Sequence, residues 1–194
     1  MVKINRVKEH HLILGGARSG KSSFAEAQVI SKAELNVGST LHYVATAICF
    51  DDEMKERVQH HKNRRGHQWV EHEEPVALAD KLSQFGDADV VLVDCLTLWL
   101  NNVLYELGED ATNQEVEQEI ERVCAVLAKS EAQIFMVSNE VGLGVVPLGK
   151  VSRLFVDNAG RMNQAIAKIC GQVTLIAAGL PLSLKDETRQ VERQ

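Results

Sequence analysis

Residues 15–22 constrain the fold of this chain more than any other segment, because they match the spacing G-x-x-x-x-G-K-[ST]. In such a loop the glycines let successive backbone N–H groups turn toward one anion. Lys21 supplies a cation for the outer phosphates, and Ser22 offers a hydroxyl to Mg²⁺. The loop consists of Gly15, Gly16, Ala17, Arg18, Ser19, Gly20, Lys21 and Ser22. The sequence therefore predicts a phosphate-binding loop (P-loop) and a nucleoside triphosphate ligand.

The flanks of this loop have the order that a P-loop requires. A short apolar run at 11–14 is typical of a strand, and residues 23–30 are rich in good helix formers. The helical spacing places Phe24, Ala27 and Ile30 on one face, which we expect to be buried. Because both flanks agree, a chance match in a surface turn is the weaker interpretation.

Strand-like runs recur along the chain and alternate with helical patterns. They lie at 11–14, 41–45, 90–93, 133–137 and 173–177. Thr112 and Glu115 form a capping box that begins one helix, and a second runs from about 151 to 170, with Gly171 as a candidate cap. This alternation predicts an α/β P-loop NTPase fold, a mostly parallel sheet with helices on both faces.

Length and charge limit what the chain can be. A chain of 194 residues is long enough for one sizeable core. We expect an N-terminal extension over 1–10, a single α/β domain over 11–184 and a frayed polar tail over 185–194. The net charge of -6, without a long basic run, argues against a nucleic-acid partner.

The cysteines and the hydropathy pattern bear on the compartment. The four cysteines are widely spaced and form no C-x-x-C pair: Cys49, Cys95, Cys124 and Cys170. This spacing favours reduced thiols in a cytoplasmic protein over disulfides or a zinc site. The amino terminus is too polar for a secretory leader, and polar residues interrupt the most apolar segment, 90–107. We therefore expect neither a targeting signal nor a membrane span.

Asp94 follows the apolar run 90–93 directly. A buried strand that ends in a carboxylate is how P-loop proteins hold Mg²⁺, or its waters, near the loop hydroxyl. We therefore interpret Asp94 as the acidic partner of Ser22. The alternative is an aspartate that caps the next helix. Asp89 is a weaker candidate, because it precedes the strand.

Residues 51–65 are acidic at their start and basic at their end, which predicts a helix. Met54, Val58 and His61 share one stripe of this helix, and His60 lies on its wetter side. A neutral imidazole is a competent nucleophile toward phosphorus, and the basic residues after it could offset phosphate charge. A surface histidine pair and an adventitious metal site are the alternatives.

Two further segments fit a ligand site. Residues 139–147 follow a predicted strand, and their glycines suit a mobile or tightly turning loop at the carboxyl edge of the sheet, where α/β proteins bind ligands. Residues 157–164 place Arg161 and Asn163 in a helix, within reach of a ligand or of a neighbouring subunit. Periodicity does not choose between these two partners.

Taken together, these motifs resemble the bifunctional adenosylcobinamide kinase / adenosylcobinamide-phosphate guanylyltransferase family of cobalamin biosynthesis. The matching segments are 15–22, 43–46, 51–54, 59–62, 94–97, 138–147 and 157–164, in this order along nearly the whole chain. The resemblance implies a RecA-like sheet, a homotrimer, and Mg²⁺ bound with GTP or ATP, without a permanently bound cofactor.

The resemblance also implies two reactions. ATP or GTP phosphorylates the aminopropanol hydroxyl of adenosylcobinamide, and GMP then passes from GTP to that phosphate, giving adenosylcobinamide-GDP and pyrophosphate. A histidine carries the GMP, and we assign this role to His61, with His60 in reserve. The residues implied to surround the guanine nucleotide are Ala45, Thr46, Ala47, Lys62, Asn63, Arg64, Arg65, Glu73 and Asp94. Glu71 and Glu74 lie close enough for a shifted register, and Asp94 could contact either ribose or Mg²⁺.

Two other functions fit the P-loop. One is a kinase for another small metabolite, without a covalent nucleotide intermediate. The other is a nucleotide-dependent switch that changes partners without turnover. Incubation with labelled GTP separates the first from the bifunctional enzyme, which predicts a protein label containing GMP. Release of pyrophosphate or of a phosphorylated corrinoid excludes the second.

Overall fold

The computed structural model describes residues 9–36, 38–48, 68–145 and 147–187. Its strands are β1 His11–Gly15, β2 Thr40–Ala45, β3 Trp69–Glu73, β4 Asp89–Asp94, β5 Gln133–Asn139, β6 Gln172–Ala177 and β7 Leu180–Asp186. Its helices are α1 Lys21–Leu35, α2 Leu78–Leu82, α3 Leu96–Leu107, α4 Asn113–Lys129 and α5 Lys150–Ile169. The helix predicted over 51–65 lies outside these described residues.

The strands form one sheet in the order β3-β2-β4-β5-β1-β6-β7. All neighbours pair in parallel except β6 and β7, which are antiparallel. The register aligns Gly15 with Asn139, and Asp94 with Val137. The parallel strands therefore end at a common carboxyl edge, and the loops that follow β1, β5 and β4 lie side by side there.

Helices cover both faces of the sheet, as predicted. Leu12 and Leu14 of β1 join the core under α2 to α5, whereas Ile13 joins the core under α1. All of β1 is buried, because a central parallel strand is covered on both sides. The capping box at the start of α4 is confirmed, since Thr112 and Glu115 exchange both bonds.

The α1 prediction is wrong at one residue. Ala27 is exposed, whereas Ala25 and Val29 are fully buried, with Phe24 and Ile30 only partly so. The row that faces the sheet is therefore Lys21, Ala25 and Val29, at i, i+4 spacing. This places a lysine on the buried side of the first turn.

The end of α5 also differs from the prediction. The helix ends at Ile169, and the cap is Cys170, whose extended backbone donates to Ile166 O, so Gly171 is not the cap. Lys185 lies in β7 rather than in a frayed tail. Its ammonium donates to the carbonyls of Cys170 (2.6 Å) and Ala167 (3.2 Å), where the helix dipole favours a cation.

Three of the four cysteines fall within the described residues. Cys95, Cys124 and Cys170 are free thiols there. Burial raises the pKa of the Cys170 thiol to about 12, which keeps it protonated and unreactive. Within the same ranges, no helix combines the length and the apolar character needed to cross a bilayer.

Candidate nucleotide-binding site

The segment 15–22 joins β1 to α1 as a tight loop at the carboxyl edge of the sheet. Arg18 and Gly20 adopt positive φ values of 56° and 98°. A Cβ on Gly15 would lie 2.4 Å from Ile176 O, so only glycine fits there. The loop is fixed from two sides, because Glu140 N donates to Gly15 O (3.1 Å) and Gly179 N donates to Ser19 O (2.9 Å).

Lys21 is the buried cation of this loop. Its side chain is only 7% exposed, and Nζ donates to Gly16 O at 2.5 Å. Burial lowers the pKa of this ammonium, and the electrostatic influence of Cys95 and Asp94 partly opposes that effect. A phosphate bound in the loop would stabilise the charged lysine further, as expected of an anion site.

Asp94 ends β4, two strands away from β1. Its carboxylate is half-buried and accepts a hydrogen bond from the Tyr43 hydroxyl at 3.2 Å. Two strand spacings correspond to about 10 Å, so the carboxylate and the loop face the same end of the sheet across β5. Ser22, in the first turn of α1, is half-buried on the P-loop side.

Thr46 joins the end of β2 to the start of α3. Its hydroxyl donates to Cys95 O and accepts from Cys95 N, both at 2.8 Å, and its own N–H donates to Asp94 O. Asn102 Nδ2 donates to Thr46 O at 2.7 Å. The backbone around Ala45, Thr46 and Ala47 is therefore held rigidly beside Asp94.

Glu73 lies at the same edge, but on the outermost strand. It pairs with Ala45 in register, and four strand spacings separate β3 from β1, or about 19 Å. Glu73 is therefore too far away for phosphates in the P-loop and suits only the distal end of a nucleotide. The alternative Glu74 is turned into its own loop, where it accepts from Ala77 N at 2.7 Å.

A polar network behind the edge joins residues of three segments that the sequence singled out, 94–97, 139–147 and 157–164. Thr97 Oγ1 accepts from Asn139 Nδ2 at 2.9 Å, and Asn163 Nδ2 donates to Asn139 O at 3.3 Å. Asn163 therefore has an internal partner on β5. Arg161 bonds Asn113 and pairs with Glu117, both on α4. Asn139 and Thr97 lie in segments that the sequence singled out, but no local pattern predicted the hydrogen bond between them.

The structure thus brings together the P-loop, Ala45 to Ala47 and Asp94 along one edge, with Glu73 at its far end. The other predicted residues lie outside the described residues: His60, His61, Lys62, Asn63, Arg64 and Arg65. No group of three or more metal-ligating side chains occurs in the described ranges.

Comparison with known proteins decides the family. The model of the family described as "Cobinamide kinase / cobinamide phosphate guanyltransferase" matches residues 11–184. The chain belongs to this family. The family resemblance that the motifs indicated is therefore confirmed, and with it a transferase that uses nucleotides in cobalamin biosynthesis.

Named relatives match over nearly their full length. The bifunctional adenosylcobalamin biosynthesis protein CobP of Pseudomonas aeruginosa is 48% identical over 177 residues, which are 91% of this chain and 97% of that protein. The corresponding CobU proteins of Escherichia coli and Salmonella typhimurium are each 34% identical, over 90% of this chain and 98% of theirs.

Solved structures support the fold. One solved ATPase domain has a TM-score of 0.55 at 10% identity, and the match covers 93% of this chain and 78% of that domain. The flagellar accessory protein FlaH of Methanocaldococcus jannaschii has a TM-score of 0.51 at 12% identity, over 91% and 78%. The predicted α/β P-loop fold is confirmed, and at these identities the likeness concerns the fold alone.

Proposed function

We propose that this chain catalyses both reactions of its family at the carboxyl edge described above. It phosphorylates adenosylcobinamide with ATP or GTP, and it then transfers GMP from GTP to adenosylcobinamide phosphate. The observation that carries this proposal is the buried Lys21 in a P-loop, within a family match that spans 11–184. Both reactions displace at phosphorus, so both need charge neutralisation and an aligned attacking atom.

The kinase step uses the P-loop directly. The substrate hydroxyl oxygen attacks the γ-phosphorus and loses its proton to solvent, and the bond to the β,γ-bridging oxygen breaks to release a nucleoside diphosphate. Lys21 and the backbone N–H groups of the loop stabilise the charge on the phosphate oxygens. Asp94 and Ser22 face this end of the nucleotide.

In the second step His61 is the nucleophile. Its neutral imidazole nitrogen attacks the α-phosphorus of GTP and expels pyrophosphate, which leaves GMP bound through a P–N bond. The phosphate of the corrinoid then attacks the same phosphorus, forms the diphosphate and frees the histidine. His61 precedes the basic residues Lys62, Arg64 and Arg65, which we assign to the guanine nucleotide together with Asn63.

Mg²⁺ fits the donors at this site. Asp94 offers a carboxylate and Ser22 a hydroxyl, and both are the hard oxygen ligands that Mg²⁺ prefers. When bound with the nucleotide, the ion neutralises charge on the phosphate oxygens. Tyr43 holds the Asp94 carboxylate in place through its 3.2 Å hydrogen bond.

A labelling experiment tests the covalent step. After incubation with GTP labelled at the α-phosphate, we expect a protein label that is acid-labile and alkali-stable. His61→Asn should abolish it, and the matched His60→Asn should keep it. A label that survives the first change and disappears in the second would assign the role to His60. No label in either variant or in the unmodified chain would reject the covalent intermediate.

A second test addresses the shared site. Lys21→Ala should lower both activities by about 100-fold or more, because the same cation faces the phosphates in each step. Lys32→Ala is the control on the same helix, since Lys32 pairs with Glu9 near the surface. Full retention of either activity in Lys21→Ala would contradict the shared site.

We further propose a homotrimer in the cytoplasm. The trimer rests on the family resemblance, and the compartment rests on that resemblance and on the free thiols of the described residues. Light scattering on the purified protein measures the assembly mass, and any stoichiometry other than three contradicts the trimer.

A further inference from the structure

A wide groove lies between the second half of α3 and the first half of α5, outside the nucleotide site. Its volume is about 640 Å³. Apolar side chains form most of its wall, among them Leu104, Tyr105, Val151, Phe155 and Val156. Tyr105 is 75% exposed and Val151 is 56% exposed. Apolar surface of this extent, left in contact with water, is typical of a binding site.

The position of the groove relates it to the nucleotide site. Helix α3 begins at Leu96, two residues after Asp94, and Tyr105 lies nine residues further along it. At the helical rise per residue, Tyr105 lies about 14 Å along the helix from Leu96. None of the P-loop residues 15–22 lines the groove, so a ligand there reaches the phosphates through an extended arm.

We propose that this groove binds the corrin ring of adenosylcobinamide, while the aminopropanol arm extends to the phosphates at the P-loop. This inference rests on the proposed function. A corrin ring is a broad, methyl-rich macrocycle, and such a surface packs against the apolar wall. The ring also carries amide arms around its rim. Asn101 and Ser152 line the groove and can exchange hydrogen bonds with these amides.

Adenosylcobinamide and the nucleotide differ in the sign of their net charge. The corrin of adenosylcobinamide carries a net positive charge on its Co(III) centre, whereas a nucleoside triphosphate is strongly anionic. Glu109 lines the groove, and Glu106 and Asp110 flank it in sequence. No lysine or arginine is among the described residues that line the groove. The Glu109 carboxylate therefore favours a cationic ligand in the groove over an anionic nucleotide.

The test fills the groove or removes part of its wall. Val151→Trp and Ser152→Trp add bulk at exposed positions, and Tyr105→Ala removes the exposed ring instead. Leu35→Trp is the control, because Leu35 is 76% exposed at the far end of α1. Equilibrium dialysis, read by the visible absorbance of the corrin, gives the Kd for adenosylcobinamide. Kinase assays give KM for each substrate.

We expect the three groove variants to raise Kd and KM for adenosylcobinamide at least tenfold, with KM for GTP and self-labelling by GTP unchanged. Glu109→Gln should weaken corrinoid binding two- to fivefold at low salt and less at high salt, because screening weakens the attraction. The Leu35→Trp control should match the unmodified protein in every measurement.

Two outcomes overturn the proposal. One is an unchanged Kd for adenosylcobinamide in all three groove variants. The other is a changed assembly mass with an unchanged Kd, which would show that a second copy of the chain covers the groove. If the unmodified protein neither binds nor phosphorylates adenosylcobinamide, the proposed function itself fails. If the unmodified protein is active and the groove variants keep its Kd for adenosylcobinamide, only the proposed corrin site is contradicted.

Discussion

Asn102 offers a sharp test of how the nucleotide edge is held. This buried amide donates to Thr46 O at 2.7 Å and to Pro75 O at 3.0 Å, so one side chain of α3 fixes the loops after β2 and β3. Asn102→Leu keeps the approximate volume and removes both donors. The two carbonyls then lose their partners in a region that water does not readily reach.

The expected loss follows from those two bonds. Each hydrogen bond contributes about 1 kcal/mol net, and a buried acceptor without a donor costs about 1–3 kcal/mol. We therefore expect Asn102→Leu to lower the free energy of unfolding by about 2–4 kcal/mol. Asn101→Leu changes the exposed neighbour on the same helix and should stay within about 0.5 kcal/mol.

Urea unfolding at one fixed protein concentration, without nucleotide, measures both variants. GTP affinity is measured in parallel, and it should fall in Asn102→Leu because Thr46 O is released beside Asp94. If the two variants unfold at the same urea concentration, the bonds to Thr46 and Pro75 do not hold this edge, and our account of it is refuted.

Three further predictions follow from single contacts. Gly15→Ala should destabilise the nucleotide-free protein severely, because its Cβ would lie 2.4 Å from a backbone carbonyl. Gly16→Ala, whose Cβ would have no atom within 4 Å, should unfold at the temperature of the unmodified protein. Equal melting temperatures of the two variants would contradict this prediction. Burial lowers the pKa of His11 from 6.5 to about 4, so the folded protein favours the neutral imidazole. The contribution of this ring to the free energy of unfolding is complete above pH 6.5 and is lost as the pH falls toward 4. Between pH 6.5 and 4, the free energy of unfolding of His11→Gln should fall by up to about 3 kcal/mol less than that of the unmodified protein. An equal fall in both proteins would refute the assignment. Thr112→Ala should cost about 1 kcal/mol in urea unfolding through loss of the capping box, and Thr112→Ser should restore most of it; a neutral Thr112→Ala would show that the cap does not contribute.

The elements that the sequence predicted well are those with strong local patterns. The P-loop was found because strand, glycines and helix are adjacent in the chain. Helix α4 was found because its capping box, Thr112 and Glu115, is a local pattern, and its residues at helical spacing, Val116, Ile120, Val123 and Leu127, are all buried. In both cases the information lies within a short window of residues.

The outer strands were missed for the opposite reason. In β3 only Trp69 is buried, and in β7 no residue is fully buried, so neither strand carries the apolar run that marks a central strand. Pro181 in β7 also argues against a strand, although an edge position tolerates it. Helix α2, with five residues, is too short for periodicity to be read.

Part of the site was beyond sequence reasoning because it depends on distant partners. Asn102 and Thr46 are separated by 56 positions, and Thr97 and Asn139 by 42. No local pattern near Asn102 or Thr97 reveals these partners, because the order of strands in the sheet brings them together. The position of Asp94 was accessible, because a carboxylate directly after an apolar strand is a local pattern.

The hairpin of β6 and β7 determines how late in translation the phosphate site of this protein can form. Its tip turns at Ala178 and Gly179, both at positive φ, and Gly179 N–H holds Ser19 O inside the P-loop. A nascent chain leaves the ribosome amino end first, so Gly179 emerges more than 150 residues after the P-loop that it holds. The nascent protein therefore cannot complete its phosphate site until nearly the whole chain has left the exit tunnel. Translation products that stop short of the hairpin should bind GTP poorly.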